Sequence, residues 1–180
     1  MEIIEEPLNG LLVVAPRVYK DSRGYFLESY RDDFFRHLGY SFDFVQDNQS
    51  LSQKNILRGL HFQKPPHAQA KLVRVIKGSV LDVAVDIRKD SLTFGKHYAT
   101  ILSEQNFKSI LIPDGFAHGF YTLEDNTIFT YKCTDYYHPE SEGGLAWDCK
   151  ELNIDWGASN PILSEKDTKN PQFSELISPF

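Results

Sequence analysis

From Ile56 to Thr134 the chain is a succession of short apolar runs, each closed by a turn signal: Ile56–Phe62, Lys71–Lys77, Ser79–Ile87, Lys96–Leu102, Lys108–Ile112, Gly119–Leu123 and Thr127–Thr134. Turn residues at Lys77-Gly78, Lys89-Asp90 and Glu124 to Asn126 separate them. Many short strands at regular spacing, without helical periodicity between them, predict a mainly β fold, an antiparallel sandwich or barrel. Within SVLDVAVDI, Val80, Asp82, Ala84 and Asp86 alternate with Leu81, Val83, Val85 and Ile87, the pattern of a strand with one face on the core. Thirteen Phe and nine Tyr suit strands better than helices.

Ahead of this block, Gly10–Pro16, Gly24–Tyr30 and Phe44–Leu51 read as further strands, with a turn-rich Lys20–Gly24. Arg31–Leu38 places Phe34, Phe35 and Leu38 on one side, as in a short amphipathic helix ended by Gly39. From Pro139 the chain turns to loops, with GGLAWDCKELNIDWG as a compact tail and ILSEKDTKN opening a short helix. The 180 residues, with no linker, repeat or low-complexity segment, suit a single domain spanning 1–180. A net charge of -6 argues against nucleic acid as a partner, so any anionic ligand needs a local basic pocket. No apolar run approaches a membrane span, and MEIIEEPLNG has acids where a signal peptide carries Lys or Arg, so a cytoplasmic protein is expected. Cys133 and Cys149 lack a CxxC spacing and are expected as unpaired core thiols.

The chemistry concentrates in NILRGLHFQKPPHAQAKLVRV, Asn55 to Val75. Two strands flank a loop that Pro65 and Pro66 keep from being a helix, and Arg58, His61 and Lys71 are offered to one pocket. A histidine, which ordinarily titrates near neutrality, with an arginine and a lysine suits an anionic substrate with a proton to move. Simple alternation puts Arg58 and Leu60 on one face and Gly59 and His61 on the other unless a bulge intervenes, while Gly59 admits close approach of a ligand or a backbone. His61 is either a base or a satisfied strand histidine; Lys71 is either a cation for a developing oxyanion or a lysine snorkelling at a strand end. His118, in the turn-histidine-strand unit PDGFAHGF, fits a metal ligand, a hydrogen-bond donor or a core residue.

Tyr131 shares a strand face with Phe129, as core packing inside the barrel, and Tyr136 and Tyr137 open the next loop, to stack on a flat base or to plug the barrel end. Ser164 with Asp167 resembles a capping box with Asp in place of Glu, which would leave Asp167 complementing a helix dipole. A metal site is not expected: His61 is followed by Phe62 and Gln63 rather than by a second ligand, and His67 has no acid beside it in sequence. His37, His67, His97 and His138 show no partner in the sequence and read as structural.

In order along nearly the whole chain, DSRGYFLESY, FVQDNQS, ILRGLHFQ, AKLVRVIKGSVLDVAVDIRKDS, IPDGFAHGF, YKCTDYYHPESEGGLAWD, LNIDW and PILSEKD resemble the dTDP-4-dehydrorhamnose 3,5-epimerase family. The resemblance implies a cupin-type β-jelly roll with a few short helices, a homodimer, and cofactor-independent, metal-free inversion of a dTDP-linked 4-keto-6-deoxy sugar. It implies His61 as base, Asp167 as its carboxylate partner, Lys71 at the enolate oxygen and Tyr131 as proton donor from the opposite face. It assigns Arg23, Glu28, Gln46, Asp47, Asn48, Arg58, His118, Glu142 and Lys166 to substrate binding and Tyr137 to stacking on thymine, with Arg23 and Glu28 reaching across to the neighbour's site. Phe62, Ala70 and Cys149-Lys150 depart from the family's usual Tyr, Gly and Asp-Pro. The alternatives are an epimerase acting at C3 or C5 only, a metal-dependent cupin using His61, His67 and His118, and a sugar-nucleotide binding module without activity.

Overall fold

The computed structural model describes residues 1–158 and 160–180. In chain order the elements are β1 (Glu2–Leu8), β2 (Leu11–Ala15), β3 (Val18–Asp21), β4 (Gly24–Leu27), α1 (Asp32–His37), β5 (Gln46–Ser52), β6 (Leu57–Gln63), β7 (Lys71–Lys77), β8 (Ser79–Asp86), β9 (His97–Ser103), β10 (Ser109–Ile112), β11 (Phe116–Thr122), β12 (Thr127–Cys133) and β13 (Glu142–Gly144), with short 3-10 turns at Pro139–Ser141, Asp167–Lys169 and Phe173–Glu175. They form a jelly roll of two sheets, β1-β2-β10-β7-β12-β5 and β13-β6-β11-β8-β9, with β3 and β4 paired as a separate hairpin. Every ladder between these strands is antiparallel. No helix among the described residues is long and apolar enough to cross a membrane.

The expected strands appear, Lys71–Lys77 with its predicted bounds. Three strands were not legible. EIIEEPL is a polar edge strand whose first five residues are exposed, so it carries no core alternation. Val18–Asp21 lies within a segment that reads partly as turn, although the turn itself occupies only Ser22 and Arg23. Glu142–Gly144 is a strand because β6 pairs with it, not because EGG favours one. On α1, Phe35 is buried but Leu38 is 39% exposed, so the apolar face is narrower than the spacing implies. Cys133 and Cys149 are buried and unpaired, as expected.

β8 is buried on both faces rather than one. Val80 and Ala84 meet the core between the sheets. Val83, Val85 and Ile87 meet a second core that the C-terminal segment supplies through Leu145, Cys149, Leu152 and Trp156. A third cluster seats Phe35 of α1 on Leu12, Val14, Leu72 and Leu111, covering the outside of the larger sheet. The tail from Gly143 onward therefore acts as a third layer, and it brings a carboxylate over β6.

β8 ends on Asp86, which is fully buried. It accepts hydrogen bonds from Arg88 Nη2 at 2.7 Å, Ser91 Oγ at 2.6 Å and Thr93 Oγ1 at 2.6 Å. Burial alone would raise its pKa, but these bonds outweigh it and lower the value from 3.8 to about 2. The folded state therefore gains from Asp86 above the ordinary aspartate range and loses that gain as pH falls through about 2. Asp86→Asn should lower unfolding stability near neutral pH by roughly 2 kcal/mol, with a smaller deficit in acid, read by urea titrations at several pH values. Equal deficits at all pH values would show that the carboxylate charge contributes nothing.

Candidate active site

A cavity of about 540 Å³ opens between the sheets and is lined by Asn48, Arg58, His61, Lys71, His118, Tyr131, Lys166 and Asp167, among others. An adjoining recess of about 270 Å³ shares Asn48, His61, Lys71 and Tyr131 and adds Gln46, Tyr137 and Glu142. Neighbouring strands hold these side chains in register. His118 stands across from His61, Cys133 across from Lys71, and Asn48 across from Tyr131.

The β6 bulge decides what reaches the cavity. His118 pairs with His61 and Phe120 with Arg58, so Gly59 and Leu60 together oppose the single residue Gly119. Arg58 and His61 consequently both line the cavity, whereas unbroken alternation would have separated them, and Leu60 packs fully buried in the other core. Gly59 sits at φ +119°, and a Cβ there would fall 2.5 Å from Gly119 Cα. Only glycine fits that approach.

His61 Nε2 lies 2.5 Å from Asp167 Oδ1, leaving Nδ1 for a ligand. Asp167 opens a 3-10 turn, and its backbone N–H donates to Ser164 Oγ at 3.1 Å, so the Ser164 half of the anticipated capping box is present. Its carboxylate goes to His61 instead of capping the turn, which corrects the helix-dipole reading. Asp167 is 4% exposed. Burial pushes its pKa up, but the bonds from His61 and Ser164 prevail and hold it below 3.8.

Lys71 touches solvent through the cavity, yet protein crowds it from every other side, and this desolvation lowers its pKa below 10.5 against the opposing pull of Cys133, Glu142 and Asp82. Asp82, fully buried, accepts from or shares a proton with His118 Nε2 at 2.9 Å, and its Oδ1 has no hydrogen bond among the described residues. Asp82 was absent from the residues singled out in the sequence, because the β8 alternation set it on the face opposite the apolar Leu81, Val83, Val85 and Ile87, and only the burial of both faces makes it a core residue. Burial raises the pKa of Tyr131 above 10, so the phenol keeps its proton at neutral pH.

At the rim, Glu142 binds Lys166 and accepts from Tyr137 Oη at 2.6 Å. Burial raises the Glu142 pKa, but these two partners bring it below 4.5. Gln46 Oε1 accepts from the Tyr137 backbone N–H at 3.1 Å, fixing the loop that carries the ring. Three expected substrate residues lie elsewhere. Arg23, with its side chain 88% exposed, pairs with Asp21; Glu28 faces Arg31 at 3.9 Å; Asp47 turns outward to Lys132 Nζ at 2.9 Å. Three of the four histidines read as unpartnered do have partners: His37 contacts the Asp33 carbonyl, His67 contacts Asp135 and His138 contacts Glu140. His67 is outside the cavity lining, apart from His61 and His118.

A histidine held by a carboxylate, a partly desolvated cation and a protonated phenol around one cavity are the parts needed to remove a proton beside a carbonyl, stabilise the enolate and return a proton. Known proteins agree with that chemistry. The family model described as dTDP-4-dehydrorhamnose 3,5-epimerase matches residues 5–175. The chain is 50% identical over 179 residues to the dTDP-4-dehydrorhamnose 3,5-epimerase of Escherichia coli (strain K12), covering 98% of this chain and 97% of that protein. It is similar to the Bacillus anthracis str. Ames enzyme of that name, solved with TDP and PPi bound, at 45% identity and a TM-score of 0.94 over 96% of this chain and 99% of that one. The Legionella pneumophila Philadelphia 1 dTDP-6-deoxy-D-glucose-3,5-epimerase, in complex with dTDP-4-keto-L-rhamnose, is 46% identical with a TM-score of 0.93 over 97% of this chain and 94% of that one.

The Asp82 charge opposes the desolvation of Lys71. Asp82→Asn should therefore lower the Lys71 pKa further, read as the midpoint of its side-chain carbon shift in an NMR pH titration of lysine-labelled protein. An unmoved midpoint would remove Asp82 from the support of that cation.

Proposed function

The chain belongs to the dTDP-4-dehydrorhamnose 3,5-epimerase family and inverts C3 and C5 of dTDP-4-dehydro-6-deoxy-D-glucose, and we propose that it does so with His61, Asp167, Lys71 and Tyr131 as the reacting set. The product is dTDP-4-dehydro-L-rhamnose. The observation that carries the residue assignment is the single cavity that gathers the His61–Asp167 pair, Lys71 and Tyr131.

Hydrogens on C3 and C5 are acidic because the C4 ketone takes up the electron pair as an enolate. His61 Nδ1 removes the proton while Asp167 holds Nε2 and stabilises the imidazolium. Lys71 neutralises the charge that develops on O4, with His118 donating a hydrogen bond at the sugar. A lysine kept short of water responds strongly to that charge, since little solvent screens it. Tyr131 then delivers its proton from the other face, and the C–H bond so formed has the inverted configuration. The phenolate is reprotonated from solvent, and His61 releases its proton there.

For the nucleotide, Arg58 is assigned to the pyrophosphate, whose oxygens its planar fork meets in pairs, and Tyr137 to stacking on thymine. Gln46, Asn48, Glu142 and Lys166 line the path between them. Arg23 and Glu28 remain assigned to substrate through a homodimer in which the β3–β4 hairpin region reaches the neighbour's cavity, and Asp47, on β5, remains assigned to substrate without that crossing. The hairpin's exposed rings support this, with Tyr19 51%, Tyr25 56% and Phe26 66% exposed. We place this dimer in the cytoplasm, consistent with two buried unpaired thiols.

In deuterated water, NMR of the substrate should show deuterium entering C3 and C5 with inversion at both. Entry at one carbon would instead make this a single-centre epimerase, and entry at neither would leave a binding module. His61→Ala should cut exchange by about a thousandfold or more. Tyr131→Phe should retain exchange far better than inversion; normal product at the normal rate would remove Tyr131 from the reaction. Mixing Arg23→Ala and His61→Ala chains under subunit exchange should restore activity that neither homodimer has, and failure to do so would place Arg23 outside the neighbour's site.

A further inference from the structure

Outside the cavity the described His, Cys, Asp and Glu side chains bring three ligand atoms within 4.8 Å of one another at one place, formed by His67, Asp135 and His138. We propose that these three side chains form a second site, for a divalent transition-metal ion of the imidazole-preferring kind such as Zn²⁺, that ties the β6–β7 loop to the loop following β12. The ligand set, two imidazoles and one carboxylate, is of a type that binds Zn²⁺ with water completing a tetrahedron.

The backbone around the three residues is fixed by two glutamines. Gln63, 5% exposed, donates through Nε2 to the carbonyls of His67 at 2.7 Å and Tyr136 at 3.1 Å, and its Oε1 accepts from the His138 N–H at 2.7 Å. Gln69 Nε2 donates to the carbonyl of Asp135 at 2.7 Å. Loops held in this way present their side chains from a prepared frame, so little ordering remains for an ion to impose.

The side chains themselves retain freedom. His67, Asp135 and His138 are 33%, 30% and 31% exposed, open enough for an ion to enter with its waters. The two imidazoles stack face to face, centroids 3.5 Å apart and planes 11° from parallel. Asp135 Oδ2 lies 3.2 Å from His67 Nδ1, and Glu140 Oε1 lies 3.0 Å from His138 Nδ1. An ion lies in the plane of each ring that binds it, so one imidazole turns about its Cβ–Cγ bond when the site fills. The carboxylates then serve as ligand or as orienting partner for the imidazole, the usual arrangement around protein-bound zinc. Zn–N bonds of 2.0–2.1 Å put tetrahedral ligands roughly 3.4 Å apart; His67 Nδ1 and Asp135 Oδ2, 3.2 Å apart, already stand at about that separation, and a pair at the 4.8 Å limit closes by at most about 1.4 Å.

The site does not share residues with the reacting set, and it has only His67 in common with the His61, His67, His118 combination considered for a metal-dependent cupin. Its consequence is local: an ion stiffens the loop in which Tyr137 immediately precedes His138.

Equilibrium dialysis of the chelator-treated full chain against Zn²⁺, followed by elemental analysis, should find one ion per chain, with a raised thermal midpoint and shifted His67 and His138 ring resonances. His67→Asn with His138→Asn, and separately the near-isosteric Asp135→Asn, should each weaken binding by about tenfold or more while the metal-free melting curve stays close to that of the parent. His61→Asn should keep its zinc. No bound ion, or zinc retained at full affinity in the His67→Asn, His138→Asn chain, would overturn the site, as would loss of zinc in His61→Asn alone.

Discussion

The bond between His61 and Asp167 joins residues 106 positions apart, and most of the site depends on it. His61 is fixed by β6, but Asp167 arrives on the tail, whose Leu145, Cys149, Leu152 and Trp156 are buried against the outer side of the β6-β11-β8 sheet. The Leu57 N–H donates to Ile162 O at 3.0 Å, and the Ile162 N–H to Asn55 O at 2.8 Å, which sets the tail beside the start of β6. The hydrophobic layer thus does electrostatic service: by seating the tail it buries a carboxylate and leaves the histidine as its principal partner.

The same burial gives the cavity its chemical character. Lys71, Tyr131 and Asp167 all suffer desolvation, yet with different outcomes. Lys71 loses some of its hold on a proton, Tyr131 keeps its own more tightly, and Asp167 stays ionised because His61 and Ser164 satisfy it. A base supported by an anion, a proton donor held neutral and a poorly solvated cation follow from one partly desolvated pocket with different local partners. A negative charge appearing on a substrate oxygen there would meet Lys71 with little water between them.

Backbone close approach is the second constraint. Gly59 and Gly119 touch where the bulge forms, since a Cβ on Gly119 would fall 2.7 Å from the Arg58 carbonyl oxygen. The bulge is what lets Arg58 and His61 work on the same cavity. Elsewhere, the buried Gln63 and the half-buried Gln69 take the part that strand pairing cannot, holding the loops that carry His67, Asp135, Tyr137 and His138.

Local sequence determined the run of strands, the turns between them, the helix at Asp32–His37 and the presence of His61, Lys71 and Tyr131 on strands, because period-two patterning and turn chemistry act over a few residues. The ordered family motifs determined the epimerase assignment and the naming of Asp167. Tertiary structure alone decided the rest. Glu142–Gly144 became a strand by pairing with β6, both faces of β8 were buried because the tail forms an extra layer, and Asp82 became the partner of His118 across adjacent strands. Asp167 illustrates the division: its serine three residues earlier looked like a cap, and only the path of the tail, set by long-range packing, turned the carboxylate toward His61.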